Sequence, residues 1–159
     1  MVQVSGFRFL VSSFRFLVSC LALVIAMTSC REEEENEIPN RKVNLTTSYS
    51  DFMKLRNAGA HIEYEFGDFY PAGTLLGYGG ILIFRDYDNK LHAADLACPV
   101  EADENVTIEV NMPYAICKKC NTKYDLTFGF CSPVSGPGKV SLKMYEGVFE
   151  RGEYILVRN

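Results

Sequence analysis

Beyond residue 42, apolar and polar positions alternate over short stretches separated by turn residues, and helical periodicity is nearly absent. Alternation with a period of two is what a half-buried strand imposes, because successive side chains leave opposite faces of the sheet. The pattern predicts strands over residues 43–47, 61–66, 80–85, 91–95, 106–110, 114–117, 123–126, 140–145 and 154–158. So many short strands in succession predict an all-β domain. One helical turn is expected over residues 50–57, where Ser50 serves as N-cap, Phe52 and Leu55 share a face, and Gly59 gives a stop.

Two local features sharpen this picture. Tyr87-Asp88-Asn89-Lys90 lies between two apolar runs and predicts a hairpin, since Asp and Asn tolerate the left-handed backbone of tight turns. The unbroken run Ile81-Leu82-Ile83-Phe84 puts apolar side chains on both faces of one strand, which predicts burial between layers. Gly77-Tyr78-Gly79-Gly80 precedes a strand instead of following one and opening a helix, so it is a turn and not a phosphate cradle. The aromatics Phe66, Phe69, Tyr70 and Tyr78 are expected to fill the core and sheet edges of so small a domain.

The N-terminus has a different character. Arg8 and Arg15 precede an uncharged, mostly apolar run that stops at Thr28-Ser29, the pattern of a secretory signal. It falls short of the ~20 apolar residues a transmembrane helix needs. Met27-Thr28-Ser29-Cys30 resembles a lipobox, which implies cleavage before Cys30 and acylation of that cysteine, enough for stable anchoring to a membrane. The hexapeptide Phe-Arg-Phe-Leu-Val-Ser occurs twice within this leader, as a duplication and not a structural repeat. The expected organisation is a signal peptide over residues 1–29, a lipidated acidic tether over 30–42 and one domain over 43–159.

The tether carries Glu32 to Glu35 and Glu37, lacks periodicity and contains Pro39. Acids soon after a lipidated cysteine resemble the tag that sends lipoproteins to the cell surface in one group of Gram-negative bacteria; a plain solvated linker is the other reading. An outer-membrane lipoprotein, exposed at the surface in the first case, is the expected location. The whole chain has a formal charge of −4, and the leader contributes only the two arginines, so the mature domain is more acidic still. That balance argues against nucleic acid as a partner. There are two histidines, His61 and His92, neither beside a plausible nucleophile, and no independent enzyme activity is expected.

Of six cysteines, Cys20 belongs to the leader and Cys30 to the lipid anchor, leaving Cys98, Cys117, Cys120 and Cys131. Cys117-Lys118-Lys119-Cys120 has the spacing that lets two thiolates grip one metal from a tight turn. Cys98-Pro99 supplies a third sulfur from another loop. In an exported domain two of these four can instead be joined as a disulfide, with the others packed as small apolar side chains.

In order and spacing these features resemble the Rieske iron–sulfur domain, whose Cys-x-His and Cys-x-x-His loops clamp a 2Fe–2S cluster. Cys98-Pro99-Val100 and Cys117-Lys118-Lys119-Cys120 stand at those loops, followed by Asn121-Thr122-Lys123-Tyr124-Asp125 where the family has Gly-Ser, a variable residue, an aromatic and Asp. Pro133-Val134-Ser135-Gly136-Pro137 with Leu142 looks like the family's Pro-containing loop over the cluster and the strand after it. Tyr145, Gly152 and Tyr154-Ile155-Leu156-Val157 look like its final hairpin. The resemblance implies stacked antiparallel sheets with the two cysteine loops at one tip.

The ligands depart from the family pattern. Val100, which cannot coordinate iron, stands in place of the first histidine, and Cys120 in place of the second. In a Rieske centre two histidines raise the potential to roughly −150 to +300 mV, against about −400 mV for all-cysteine plant-type clusters, so a cluster here would lie lower. His92 sits on the strand leading to the first loop and His61 far from both. Cys131 is the better fourth ligand, because the resembling fold brings its segment back over the cluster. Cys98, Cys117, Cys120 and Cys131 would then hold an all-cysteine 2Fe–2S cluster or a structural zinc. Two readings stand side by side: an electron-transfer or metal-binding lipoprotein, and a Rieske-like fold without cofactor that serves as a surface binding or structural module.

Overall fold

Ile81, Leu82, Ile83 and Phe84 carry no solvent exposure at all, and their strand is the middle wall of the domain. The computed structural model describes residues 38–159. In chain order these form β1 (Val43–Thr46), helix α1 (Tyr49–Lys54), β2 (His61–Tyr64), β3 (Leu75–Leu76), β4 (Ile81–Arg85), β5 (Leu91–Asp95), β6 (Ile108–Asn111), β7 (Tyr114–Cys117), β8 (Lys123–Asp125), β9 (Ser132–Ser135), β10 (Gly147–Arg151) and β11 (Tyr154–Arg158). They build three antiparallel sheets, ordered β10-β11-β1-β3, β2-β4-β5 and β6-β7-β8-β9. The predicted signal peptide over 1–29, the predicted lipidation site Cys30 and most of the predicted tether lie outside the described residues.

Because alternate side chains of β4 point opposite ways, Ile81 and Ile83 enter a core with Val43, Leu45, Ile155 and Val157. Leu82 and Phe84 enter a second core with Ile108, Ala115, Tyr124 and Leu126. The β2-β4-β5 sheet is therefore packed on both faces, as the unbroken apolar run predicts. Each such side chain contributes about 1.5–3 kcal/mol by leaving water.

The expected strands at 43–47, 61–66, 80–85, 91–95, 106–110, 114–117, 123–126 and 154–158 correspond to β1, β2, β4, β5, β6, β7, β8 and β11, with small shifts at their ends. The strand expected over 140–145 does not form. That segment runs beside β5 with a single bridge between Ala94 and Met144, flanked by Asp95 N–H to Lys143 O at 2.8 Å and Tyr145 N–H to Ala93 O at 2.9 Å. The strands β3, β9 and β10 were not among the strands predicted by alternation. Helix α1 also starts earlier than expected: Ser48, not Ser50, is the N-cap, and its hydroxyl accepts from Asp51 N–H at 3.2 Å.

The β4–β5 hairpin turns where predicted, with Asn89 in the left-handed region at φ 64°. Asp86 closes it by accepting the Lys90 N–H at 2.8 Å on Oδ1 and pairing with His92 Nε2 at 2.8 Å on Oδ2. At the other end of the hairpin, buried Asp95 organises the glycine turn. Its carboxylate accepts the N–H groups of Tyr78 and Gly79 at 2.9 Å each, the Ala97 N–H at 2.8 Å and the Tyr145 hydroxyl. Glycine is required there, since a Cβ on Gly79 would lie 2.6 Å from Ala97 N and one on Gly77 would overlap the Tyr145 hydroxyl. The turn thus fixes Ala97, the residue before the first site cysteine.

Residues 38–42, expected as the end of the tether, are held to the domain. Lys143 Nζ donates to Ile38 O at 3.1 Å, Asn159 Nδ2 to Arg41 O at 2.9 Å, and Arg41 pairs with Glu104 at 2.6 Å. The expectation that Phe66 and Phe69 fill the core is overturned: both lie on the surface, Phe69 at 99% exposure. Their segment between β2 and β3 turns outward, while Tyr70 packs against the core that holds Tyr64. No helix among the described residues is long and apolar enough to cross a membrane.

Candidate metal centre

Two loops at one end of the β6-β7-β8-β9 sheet carry the cysteines of the candidate site. The first follows β5. Cys98 N–H donates to Val106 O at 3.0 Å, and Cys98 O accepts from Ala102 N–H at 3.0 Å, which curls the loop around the cysteine. The second links β7 to β8. Cys117 N–H donates to Thr122 O at 3.0 Å and Cys117 O accepts from Asn121 N–H at 2.8 Å, so that Lys118 and Lys119 form the tip of a tight turn. Asn121 takes the left-handed conformation this turn requires, at φ 59°, which explains an Asn at that position.

These loops bring three sulfurs together. The Sγ atoms of Cys98, Cys117 and Cys120 all lie within 4.8 Å of one another, and Cys98 and Cys120 are 3.6 Å apart. Cys98 and Cys117 are fully buried and Cys120 partly so. Cys131 is not part of the group: it is buried in the adjoining core, with its Sγ 3.7 Å from Gly129 O. His92 is engaged by Asp86 and stacked on Phe84, and His61 lies in β2; neither joins the sulfurs.

The surroundings tune these thiols unequally. Burial pushes Cys98 up to about 12. At Cys120 burial also opposes ionisation, but the hydrogen bond to Thr122 Oγ1 at 3.1 Å, the Thr122 backbone and the neighbouring cysteines outweigh it and lower the thiol below its ordinary value. Cys131 is pushed up to about 12 by burial and then by the nearby Asp125 charge, the state of an inert packed thiol. Tyr124 places its hydroxyl 3.7 Å from Cys98 Sγ.

Thr122 and Tyr124 are neighbours of the sulfurs that spacing rules alone do not reveal. Thr122 is buried and also accepts the Gly138 N–H at 3.0 Å, binding the segment after β9 to the second cysteine loop. A Cβ on Gly136 would lie 2.6 Å from Thr122 Cα, and one on Gly138 would lie 2.5 Å from Thr122 Cγ2 and 3.1 Å from Val100 Cγ2. This segment therefore packs over both loops. Lys119 adds a salt bridge to Glu101 at 2.7 Å, joining the tip of one loop to the other.

The donor set suits a thiophilic metal. At a metal–sulfur distance of about 2.3 Å, two tetrahedral ligands stand roughly 3.8 Å apart, close to the Cys98–Cys120 spacing of 3.6 Å. A cluster of converging thiols with one buried wall and one accessible side is an arrangement that can take up an ion.

No protein-family model matches the sequence, and no curated protein matches it. Among solved structures, the fold is similar to that of the quaternary ammonium Rieske monooxygenase CntA in complex with an inhibitor, with a TM-score of 0.52 at 16% identity. The domain has a Rieske-like fold. The alignment covers 82% of this chain, which spans 35% of the monooxygenase's length. Two ferredoxins are similar at lower scores. The Sphingomonas yanoikuyae B1 ferredoxin gives a TM-score of 0.46 at 11% identity, covering 75% of this chain and 99% of the ferredoxin. The ferredoxin of carbazole 1,9a-dioxygenase from Nocardioides aromaticivorans IC177 gives 0.43 at 17% identity, covering 72% and 96%. In this Rieske-like domain the two cysteine loops share one tip, and Cys120 occupies the place that the sequence resemblance assigns to a histidine.

Proposed function

We propose that the protein is a membrane-anchored lipoprotein whose Rieske-like domain holds a metal centre of electron-transfer type through Cys98, Cys117 and Cys120. The convergence of those three sulfurs within 4.8 Å supports this reading more than any other feature. A disulfide would join two of these sulfurs, whereas three converging from two loops are what one shared ion requires. When bound, a metal in such a shell supplies a redox-active or charge-neutralising centre. The protein's own residues position the thiolates, exclude water on the Cys98 and Cys117 side, and present Cys120 toward solvent.

The lipobox at Met27-Thr28-Ser29-Cys30 supports anchoring, and the acidic Glu32 to Glu35 stretch supports display at the cell surface. Full-length protein expressed in a Gram-negative host is expected in the membrane fraction, and Cys30→Ser is expected to release it. Purified without oxygen, the wild-type chain should carry close to one metal site per molecule by elemental and sulfide analysis. A colourless, metal-free protein whose melting temperature ignores chelators would instead establish the cofactor-free binding module.

A further inference from the structure

We infer that the site takes a single soft ion of the Cu(I) class, bound by three thiolates, and not a cluster of two irons. This rests on the reading of Cys98, Cys117 and Cys120 as a metal centre and adds its nuclearity and its occupant.

The first support is spacing. A two-iron cluster is held by four protein ligands, two on each iron, at opposite ends of a core of irons and sulfides. Ligand sulfurs on different irons must therefore stand wider apart than those sharing one iron. Here all three sulfurs lie within 4.8 Å of one another, which matches ligands converging on one atom at about 2.3 Å.

The second support is ligand count. Val100 offers no donor in the first loop. Cys131 faces Gly129 O inside the core, and His92 is committed to Asp86. Structural zinc sites close all four positions with protein ligands, and among the described residues this site supplies three. Two hydroxyls stand beside the sulfurs, Thr122 Oγ1 at 3.1 Å from Cys120 Sγ and the Tyr124 hydroxyl at 3.7 Å from Cys98 Sγ, each placed to hydrogen-bond a thiolate and neither a soft ligand. Cu(I) is selected by soft sulfur ligands and is satisfied by three of them. Cys120, the least buried of the three, marks the side from which the ion enters.

The test is a set of anaerobic titrations of the full chain, kept reduced, with Cu(I) delivered from a chromophoric chelator, with Zn(II), and with iron plus sulfide. Native mass spectrometry gives stoichiometry, and X-ray absorption gives the number of sulfur neighbours. The expected result is one copper per chain with three sulfur ligands, and displacement of zinc by copper. Cys120→Ser should weaken Cu(I) binding on the order of a hundredfold, about 2.8 kcal/mol, while Cys131→Ser leaves it unchanged. Two irons with two sulfides per chain, or zinc that resists copper and shows four sulfur ligands, would overturn the inference while leaving the metal-centre reading intact. Failure to take up any of the three would overturn both.

Discussion

Tyr145 donates its hydroxyl to the Asp95 carboxylate although the two lie 50 residues apart, and the same carboxylate gathers three backbone N–H groups from the glycine turn and Ala97. The first cysteine loop therefore hangs from a buried anion whose charge is met by four donors. Tyr145→Phe removes one charge-assisted bond without changing the ring. Urea denaturation should show a loss of about 1.5–3 kcal/mol, with the midpoint shifted and the slope unchanged. An unchanged midpoint would mean that Asp95 is fully served by the backbone.

The cysteines should separate into two classes. Cys117→Ser is expected to abolish metal retention by the purified chain. Cys131→Ser should keep the metal but cost about 1–3 kcal/mol, because it buries a hydroxyl whose facing acceptor, Gly129 O at 3.7 Å from the sulfur, is too distant for a good O–H···O bond. Elemental analysis and thermal melts of the two variants in parallel check the division, and loss of metal from Cys131→Ser would return that residue to the ligand set.

The segment after β9 is predicted to be a steric lock on the second cysteine loop. Gly138→Ala sets a methyl 2.5 Å from Thr122 Cγ2 and should destabilise the domain by about 1–3 kcal/mol. Removing that methyl with Thr122→Ser should recover part of the loss in the double variant. A double-mutant cycle with no coupling would show that the crowding is relieved elsewhere.

Acid sensitivity follows from the β4–β5 turn. Burial tends to raise the Asp86 carboxyl, but the Lys90 N–H and His92 outweigh it and hold it below the usual 3.8. A lowered folded-state value means that protons bind the unfolded chain more readily. The resulting stabilisation is present above about pH 4 and disappears as pH falls through the folded value. Asp86→Asn should therefore flatten the stability profile below about pH 4, measured by urea midpoints across the acid range.

β4 was legible because a short apolar run rich in Ile, opened by Gly79-Gly80 and closed by the hairpin turn, favours a strand covered on both sides. The Tyr87 to Lys90 hairpin was legible because its turn residues carry the required backbone conformation. β9 was hidden by Pro133, which weakens any strand assignment; it survives because β9 is the edge of its sheet, where a missing N–H need not break a ladder. β3 has two residues and no detectable period. The 140–145 segment has the alternation of a strand, yet its backbone bonds divide between two neighbours, Leu142 N–H to Cys131 O and the Lys143 and Tyr145 bonds to β5, so no ladder forms.

At the site, Cys98, Cys117 and Cys120 were readable from loop spacing and the resemblance, while the exclusion of Cys131 was not. Sequence order places Cys131 beside a segment that does pack over the loops, but the side chain turns inward to the core from a left-handed backbone at φ 51°, which spacing does not reveal. Phe66 and Phe69 misled for the opposite reason: their residue type favours burial, but the outward loop leaves Phe69 nothing to pack against.

Leu82 and Ile83 are neighbours in sequence and yet belong to different interiors. A minimal peptide carrying just the sulfur-bearing hairpins would leave one side of that shared partition wet, and would aggregate or collapse before it could present its ligands. Engineering metal binding on this scaffold therefore has to keep the distant half of the molecule, whose own core excludes the three sulfurs.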